Sequence, residues 1–282
     1  MRENTVKTIW RRGGAVINGW LGIPSSASAE TMAHQGWDSL TVDLQHGLVD
    51  YTNALPMLQA ISTTPVIPMA RVPWLEPGII MKLLDAGSYG IICPMINSRE
   101  ECEKLIGACN YPPKGYRSFG PARAVLYAGA DYAQYSNSTV LAIAMIETAD
   151  ALKNLDSILS TPGLDGIYVG PSDLGLALGR QPRLDQTDPV VYKAIERIIA
   201  AAKKHKVPAG IHCGSAEYAQ RMIAIGFQLT TIANDNTLLA IQAKAVVTTM
   251  RATKGINGTK AKAAKVAKPA AKGKANAPAS PY

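Results

Sequence analysis

Residues 141–173, LAIAMIETADALKNLDSILSTPGLDGIYVGPSD, carry the first decision about the fold. An apolar run, Leu141–Ile146, stops at Glu147. A helix-like segment follows, and a second apolar run, Gly166–Val169, stops at Gly170-Pro171-Ser172-Asp173. Short apolar runs alternating with helical stretches point to βαβ units and a parallel sheet. Each run delivers one carboxylate at its C-terminal end, the face where ligands sit in parallel sheets and barrels. Two carboxylates converging there make a seat for a hard divalent cation. Taken singly, one also reads as a helix cap and the other as a loop ion-pair partner.

The alternation extends in both directions. Strand-like segments fall at 15–23, 39–44, 66–71, 90–95, 140–147, 166–171, 208–213 and 227–233. Helical patterns lie between and after them, at 28–36, 51–63, 77–87, 98–110, 148–160, a stretch reaching Lys206, 215–226 and 236–253. Pro77 opens and Gly87 closes one helix, and Ser98 with Glu101 forms a capping box. Residues 1–14 read as a lead-in and 111–130 as a long loop rich in Gly, Pro and Arg. Eight strand–helix units in about 240 residues predict an α/β fold of the (β/α)8 TIM-barrel type. A doubly wound open sheet is the alternative, but it usually has fewer units, and its GxGxxG fingerprint is missing after the first strand. The barrel is expected over 1–254. The Ala-, Lys-, Pro- and Gly-rich residues 255–282 are expected to form a disordered tail.

Of 282 residues, 47% are hydrophobic and 18% charged, enough for a large core. No apolar run is long enough to span a bilayer, so no membrane partner is expected. The N-terminus lacks a signal-peptide core, and Cys93, Cys102, Cys109 and Cys213 show no CxxC spacing. Both features suit a cytoplasmic protein with free thiols. The net charge of +8 invites a nucleic-acid reading, but six lysines lie in 255–282, and removing them leaves about +2. Polyanion contact is therefore expected only as non-specific binding by the tail.

Polar residues at the strand ends should line one mouth. The second strand ends Val42-Asp43-Leu44-Gln45-His46, the third in Arg71, the fifth in Glu147, the sixth in Ser172-Asp173, the seventh in His212 and the eighth in Asn234-Asp235. The spacing of Asp43 and His46 allows the carboxylate to hold one ring nitrogen and free the other as a base. A histidine bonded only through backbone is the alternative. Arg71, ending an apolar strand, needs a counter-charge, supplied by Asp43, Glu147 or an anionic ligand. The turn at Gly170-Pro171 can point the N–H groups of Ser172 and Asp173 into the mouth. Arg117 and Arg123, in the long loop, either reach over the mouth or stay solvated. No lysine ends a strand, which disfavours covalent imine chemistry and leaves a metal as the electron sink.

GWLGIPSSASAE (19–30), VDLQHG (42–47), YPPKGYRSFGPARA (111–124), IETADALKNLDSIL (146–159) and GLDGIYVGPSDLGLALG (163–179) together resemble the HpcH/HpaI aldolases. That resemblance runs from about residue 15 to about 250 and implies a (β/α)8 barrel, assembled as homo-trimers or homo-hexamers, with class II pyruvate-aldolase activity. By motif, Glu147 and Asp173 resemble the ligands of a divalent metal, Mg2+, Mn2+ or Co2+. His46 with Asp43 resembles the base that moves the pyruvate methyl proton, and Arg71 the cation facing the enolate oxygen. The backbone at Ser172 and Asp173 resembles the carboxylate seat, and Trp20 a mouth-lining aromatic. Arg123 is a candidate substrate contact from the loop.

The implied reaction cleaves a 4-hydroxy-2-oxo acid to pyruvate and an aldehyde. Acyl-CoA lysis of the same superfamily, or polyanion binding through the tail, are the alternatives. Met145, Gln45 and the segment IANDNTLL depart from the family's usual pattern, which touches acceptor choice and proton relay.

Overall fold

The computed structural model describes residues 1–252, so the expected basic tail at 255–282 lies outside the described residues. Eight parallel strands close into a barrel in chain order. They are β1 (Val16–Leu21), β2 (Ser39–Asp43), β3 (Ile67–Arg71), β4 (Gly90–Cys93), β5 (Leu141–Ile146), β6 (Gly166–Val169), β7 (Ala209–Cys213) and β8 (Leu229–Ile232). β8 pairs back onto β1, which completes the (β/α)8 barrel expected from the alternation.

The first helices are α1 (Thr5–Arg11), α2 (Ser26–Ala33), α3 (Tyr51–Ile61), α4 (Pro77–Asp85) and α5 (Arg99–Cys109). Then come α6 (Ala124–Ala128), α7 (Tyr132–Thr139), α8 (Ala149–Lys153), α9 (Leu155–Leu159) and α10 (Pro171–Ala177). Last are α11 (Pro189–His205), α12 (Ala216–Ile225) and α13 (Asp235–Arg251). Side-chain caps start many of them: Ser25, Asp50, Glu76, Ser98, Thr148, Asp188 and Ser215 each accept a first-turn N–H. At α5 the capping box is displaced by one residue, because Glu101 reaches back to the Asn97 N–H rather than to Ser98.

The lead-in is not extended chain. Asn4 caps α1, and the Trp10 indole N–H donates to the Gln228 carbonyl at the start of β8 (2.8 Å), which ties α1 to the N-terminal face of the barrel. The loop at 111–130 contains α6, and α7 follows it. This segment joins a helix to a strand, so it lies at that same face, opposite the mouth. Arg117 there is 2% exposed and bonds Asp85 (2.6 Å) and the Tyr132 hydroxyl (2.9 Å). Arg123 donates to the Ala86 carbonyl (2.5 Å) and the Ser62 hydroxyl (2.6 Å), at the C-terminal ends of α4 and α3. Neither arginine reaches over the mouth, and the expectation of an Arg123 substrate contact is corrected.

Core packing occurs on both sides of the strands. Outward residues such as Val42, Ala70, Ile91, Ile146, Val169 and Ile211 pack with the helices. Inward residues such as Val16, Trp20, Met69, Ile143, Met145 and Tyr168 fill the barrel. The interior also holds a polar layer: the Asn18 amide donates to Thr231 (2.8 Å) and accepts from Ser39 (2.8 Å) and Thr41 (3.1 Å). Asp235 closes the mouth side between β8 and β1, with its carboxylate accepting the N–H groups of Gly22 (2.8 Å) and Ile23 (3.2 Å).

The chain divides into two compact units, Met1–Leu238 and Leu239–Tyr282, a boundary inside α13 and earlier than the expected 254. In the described part of the second unit, Leu239, Ile241, Val246, Val247 and Met250 are between 47% and 62% exposed. No helix among the described residues is long and apolar enough to cross a membrane.

Replacing Arg117 removes one partner of a largely buried ion pair, so Arg117→Met should destabilise the fold by about 3 kcal/mol. Urea unfolding checks this. Substrate affinity should stay unchanged, because the residue stands at the far end of the barrel from the mouth.

Candidate active site

Asp43 and Arg71 are register partners at the ends of β2 and β3, so both side chains point the same way across one ladder step. Arg71 binds Asp43 with two hydrogen bonds, Nε to Oδ1 (2.8 Å) and Nη2 to Oδ2 (2.6 Å). This fork geometry is the strong form of the pair. The Trp20 indole N–H, from β1, donates to Oδ2 (3.0 Å), and the guanidinium lies 4.8 Å from the Trp20 ring centre. Burial alone would raise the Asp43 carboxyl, but the Arg71 hydrogen bonds and charge, with the Trp20 N–H, hold it below its ordinary value. Asp43 is therefore an ionised anchor that orients Arg71.

The Asp43–His46 spacing resolves differently from the first expectation. Asp43 Oδ1 accepts the backbone N–H groups of Gln45 (3.0 Å) and His46 (3.3 Å), a local turn in which carboxylate and chain satisfy each other. The imidazole is not held by Asp43, whose oxygens are engaged by Arg71 and Trp20. It stands exposed at the rim of the mouth.

Glu147 follows β5 and is 2% exposed. Its Oε1 accepts the Met95 N–H (2.9 Å). Met95 adopts a positive φ of 57°, strained for a side-chain-bearing residue. That turn is pinned by Asn97, which donates to the Met95 carbonyl (2.8 Å) and accepts through its own carbonyl from Asn154 (2.7 Å). Oε2 lies over Gly170, where a Cβ would stand 2.2 Å away, so only glycine admits the carboxylate. Burial, and then the nearby Asp173 charge, push the Glu147 carboxyl up to about 7, although the Met95 N–H and Arg71 oppose this.

Asp173, in the first turn of α10, is exposed to the mouth. α10 opens with Pro171, and its first backbone bond runs from the Leu174 N–H to the Gly170 carbonyl (3.0 Å). The N–H groups of Ser172 and Asp173 are thus the free ones at its start. The described residues hold no group of three His, Cys, Asp or Glu side chains that could hold a metal. They do provide a carboxylate pair in which Glu147 is buried without a bonded cation among the described residues. That donor set fits a hard cation that keeps part of its water shell.

Part of the mouth floor was not identified from the sequence. The Tyr168 ring stacks on Trp20 at 5.7 Å, and its hydroxyl donates to Thr231 (2.8 Å) and meets His212 Nδ1 at 3.2 Å. The His212 ring contacts Trp20 edge-on at 5.0 Å. His212 was placed at the mouth by its strand end, and inward alternation along β6 and β8 would have flagged Tyr168 and Thr231 as well, but these two sit in apolar runs that read as core. A separate cleft of about 750 Å3, lined in part by Lys7, Trp10, Lys203 and Lys206, opens at the N-terminal face. It is remote from the strand-end carboxylates and takes no part in this site.

Residues 18–241 match the family described as HpcH/HpaI aldolase/citrate lyase. Over 253 residues the chain is 42% identical to a hydroxypyruvate/pyruvate aldolase of Rhizorhabdus wittichii, covering 88% of this chain and 99% of that protein. It is 34% identical over 247 residues to a 4-hydroxy-2-oxo-heptane-1,7-dioate aldolase of Escherichia coli, covering 86% and 94%. The fold superposes on an HpcH/HpaI aldolase/citrate lyase family protein from Burkholderia cenocepacia with a TM-score of 0.82, at 29% identity and with 88% and 99% coverage.

The raised Glu147 carboxyl has a consequence for stability. The folded state holds this proton up to about pH 7, whereas an unfolded glutamate releases it near 4.5. Stability therefore falls as pH rises through that window. In EDTA, Glu147→Gln should be more stable than the parent by about 3 kcal/mol at pH 8, with the gain shrinking towards zero near pH 4.5. Urea unfolding at the two pH values measures it.

Proposed function

Because this chain belongs to the HpcH/HpaI aldolase/citrate lyase family, it is a carbon–carbon lyase, and we propose that it reversibly cleaves a 4-hydroxy-2-oxo acid to pyruvate, or a close 2-oxo acid, and an aldehyde. The observation that carries this reading is the buried Glu147 carboxylate, within charge range of Asp173 and of a locked Arg71. A divalent cation, Mg2+, Mn2+ or Co2+, held by Glu147 and Asp173 would supply Lewis-acid stabilisation of the charge developing on the 2-oxo oxygen, worth several kcal/mol.

The chain's own residues account for the rest. Arg71, fixed by Asp43 and Trp20, presents its remaining N–H groups to that oxygen without reorganising during the reaction. The free N–H groups of Ser172 and Asp173 receive the substrate carboxylate. His46, with its ring exposed at the rim, takes the C4 hydroxyl proton as the C3–C4 bond breaks, and the electron pair passes into the 2-oxo acid enolate. C3 then takes up a proton. Arg117 and Arg123 stand at the opposite face, so the basic surface that a CoA ester would need near the mouth is not supplied by them.

The proposal includes a homo-trimer or homo-hexamer. The exposed apolar residues at 239–250 are a surface that association would remove from water. Light scattering should return a mass of three or six chains, and a monomer would remove this part of the proposal.

The central test is exchange of pyruvate methyl hydrogens in D2O, followed by NMR with Mg2+ or Mn2+. Metal-dependent exchange that EDTA abolishes is expected, whereas no exchange with any divalent cation would overturn the aldolase reading. Glu147→Ala should lose more activity than His46→Ala, because general base action is typically worth about 100- to 10,000-fold. Near-normal turnover in Glu147→Ala would contradict the assigned role.

A further inference from the structure

Arg2 and Arg123 line one pocket of about 360 Å3 at the N-terminal face, together with Gln59, Ser62, Leu126 and Tyr127. Both are half-buried. Arg2 donates to the carbonyls of Ser62 (3.3 Å) and Thr64. Arg123 donates to the carbonyls of Ala86 (2.5 Å) and Leu58 (3.4 Å) and to the Ser62 hydroxyl (2.6 Å). All of these acceptors are neutral. Asp85 and Asp131, close by in the chain, are committed to Arg117 (2.6 Å) and to the Met1 amine (2.7 Å). Residues 253–282 contain no Asp or Glu. The acceptor carbonyls stand at the C-terminal ends of α3 and α4, and each helix end carries about half a negative charge. Two ends offset about one of the two positive charges and leave about one uncompensated. Burial accordingly pulls the Arg123 guanidinium below its ordinary value. Arg117 moves the other way, because Tyr132 and Asp85 outweigh its burial. The two charges converge: the Arg2 guanidinium lies 4.4 Å from the Tyr127 ring centre, and burial raises the Tyr127 hydroxyl while Arg2 and Arg123 both oppose it. Gly87 makes room for Arg123, since a Cβ there would collide with Nη1.

We propose that Arg2 and Arg123 form a second binding site, which takes a small oxyanion, a phosphate or carboxylate group, at the face of the barrel opposite the mouth. The guanidinium has five N–H donors. Two bonds leave three of them on Arg2, and three bonds leave two on Arg123. Guanidinium forks match the paired oxygens of phosphate and carboxylate. The lysine-rich residues 255–282 carry the wrong sign to fill the pocket. A bound anion ties the segment before α1 to the ends of α3 and α4 and to α6, so occupancy is read as stability. The site is independent of the aldolase reading, because none of these residues acts at the mouth.

The test is calorimetric titration and urea unfolding of the full chain with inorganic phosphate and with acetate, against chloride at matched ionic strength. Saturable binding is expected, with a urea midpoint that rises and levels off as the site fills. A stronger phosphate effect identifies the ligand group as phosphate, and an acetate effect that equals or exceeds it identifies a carboxylate. No effect of either anion beyond chloride would overturn the proposal. Arg2→Gln and Arg123→Gln should each weaken binding about tenfold or more. Gln59 is exposed and lines the same pocket, so Gln59→Glu keeps the fold while adding a carboxylate to compete with the anion. It should weaken binding by a similar factor. Binding that stays within about twofold of the parent in both Arg2→Gln and Gln59→Glu would put the anion at another site and sink the assignment.

Discussion

The Asp43–Arg71 pair is the constraint on which the mouth depends. A guanidinium and a carboxylate at the ends of adjacent strands are costly to bury unless each satisfies the other. Here the register makes them partners across one ladder step, and the fork of two bonds at 2.8 and 2.6 Å compensates both charges. Trp20 adds a third bond and a ring face, and the backbone of residues 45 and 46 adds two more donors. Three strands and the loop after β2 are thereby fixed around one carboxylate. The Arg71 guanidinium is rigid because its own counter-ion is rigid.

Glu147 is held on the opposite principle. It has one backbone donor, a strained Met95 to supply it, and a glycine opposite to make room. A buried carboxylate with so few partners is a cost to the fold. Such costs concentrate where chemistry needs an uncompensated group. One carboxylate is saturated and positions a guanidinium, while the other is left under-satisfied.

Much of this was legible in the chain. Alternating apolar runs and helix signals define eight units, and eight units define a closed barrel rather than an open sheet. The strand ends then give Asp43, Arg71, Glu147 and Asp173 without any coordinates. α1 was hidden because its start rests on a single Asn4 cap before a short, mixed segment. The position of Arg123 was available from chain order, since a helix-to-strand connection falls at the N-terminal face. A loop rich in glycine and arginine has the composition of a mouth loop as well, so composition and chain order point to opposite faces.

Sequence by itself determined the period of the elements and which residue types stand at their ends, because hydrophobic periodicity and strand termini are local properties. Tertiary structure alone decided who pairs with whom. The counter-ion of Arg71 was open among Asp43, Glu147 and a ligand until the β2–β3 register chose Asp43. The freedom of the His46 ring followed from Asp43 being already occupied. The contact of Tyr168, His212 and Thr231 under Trp20 required three strands to bring their inward positions together. Pairings across a barrel depend on register and closure, and no short window of sequence contains either.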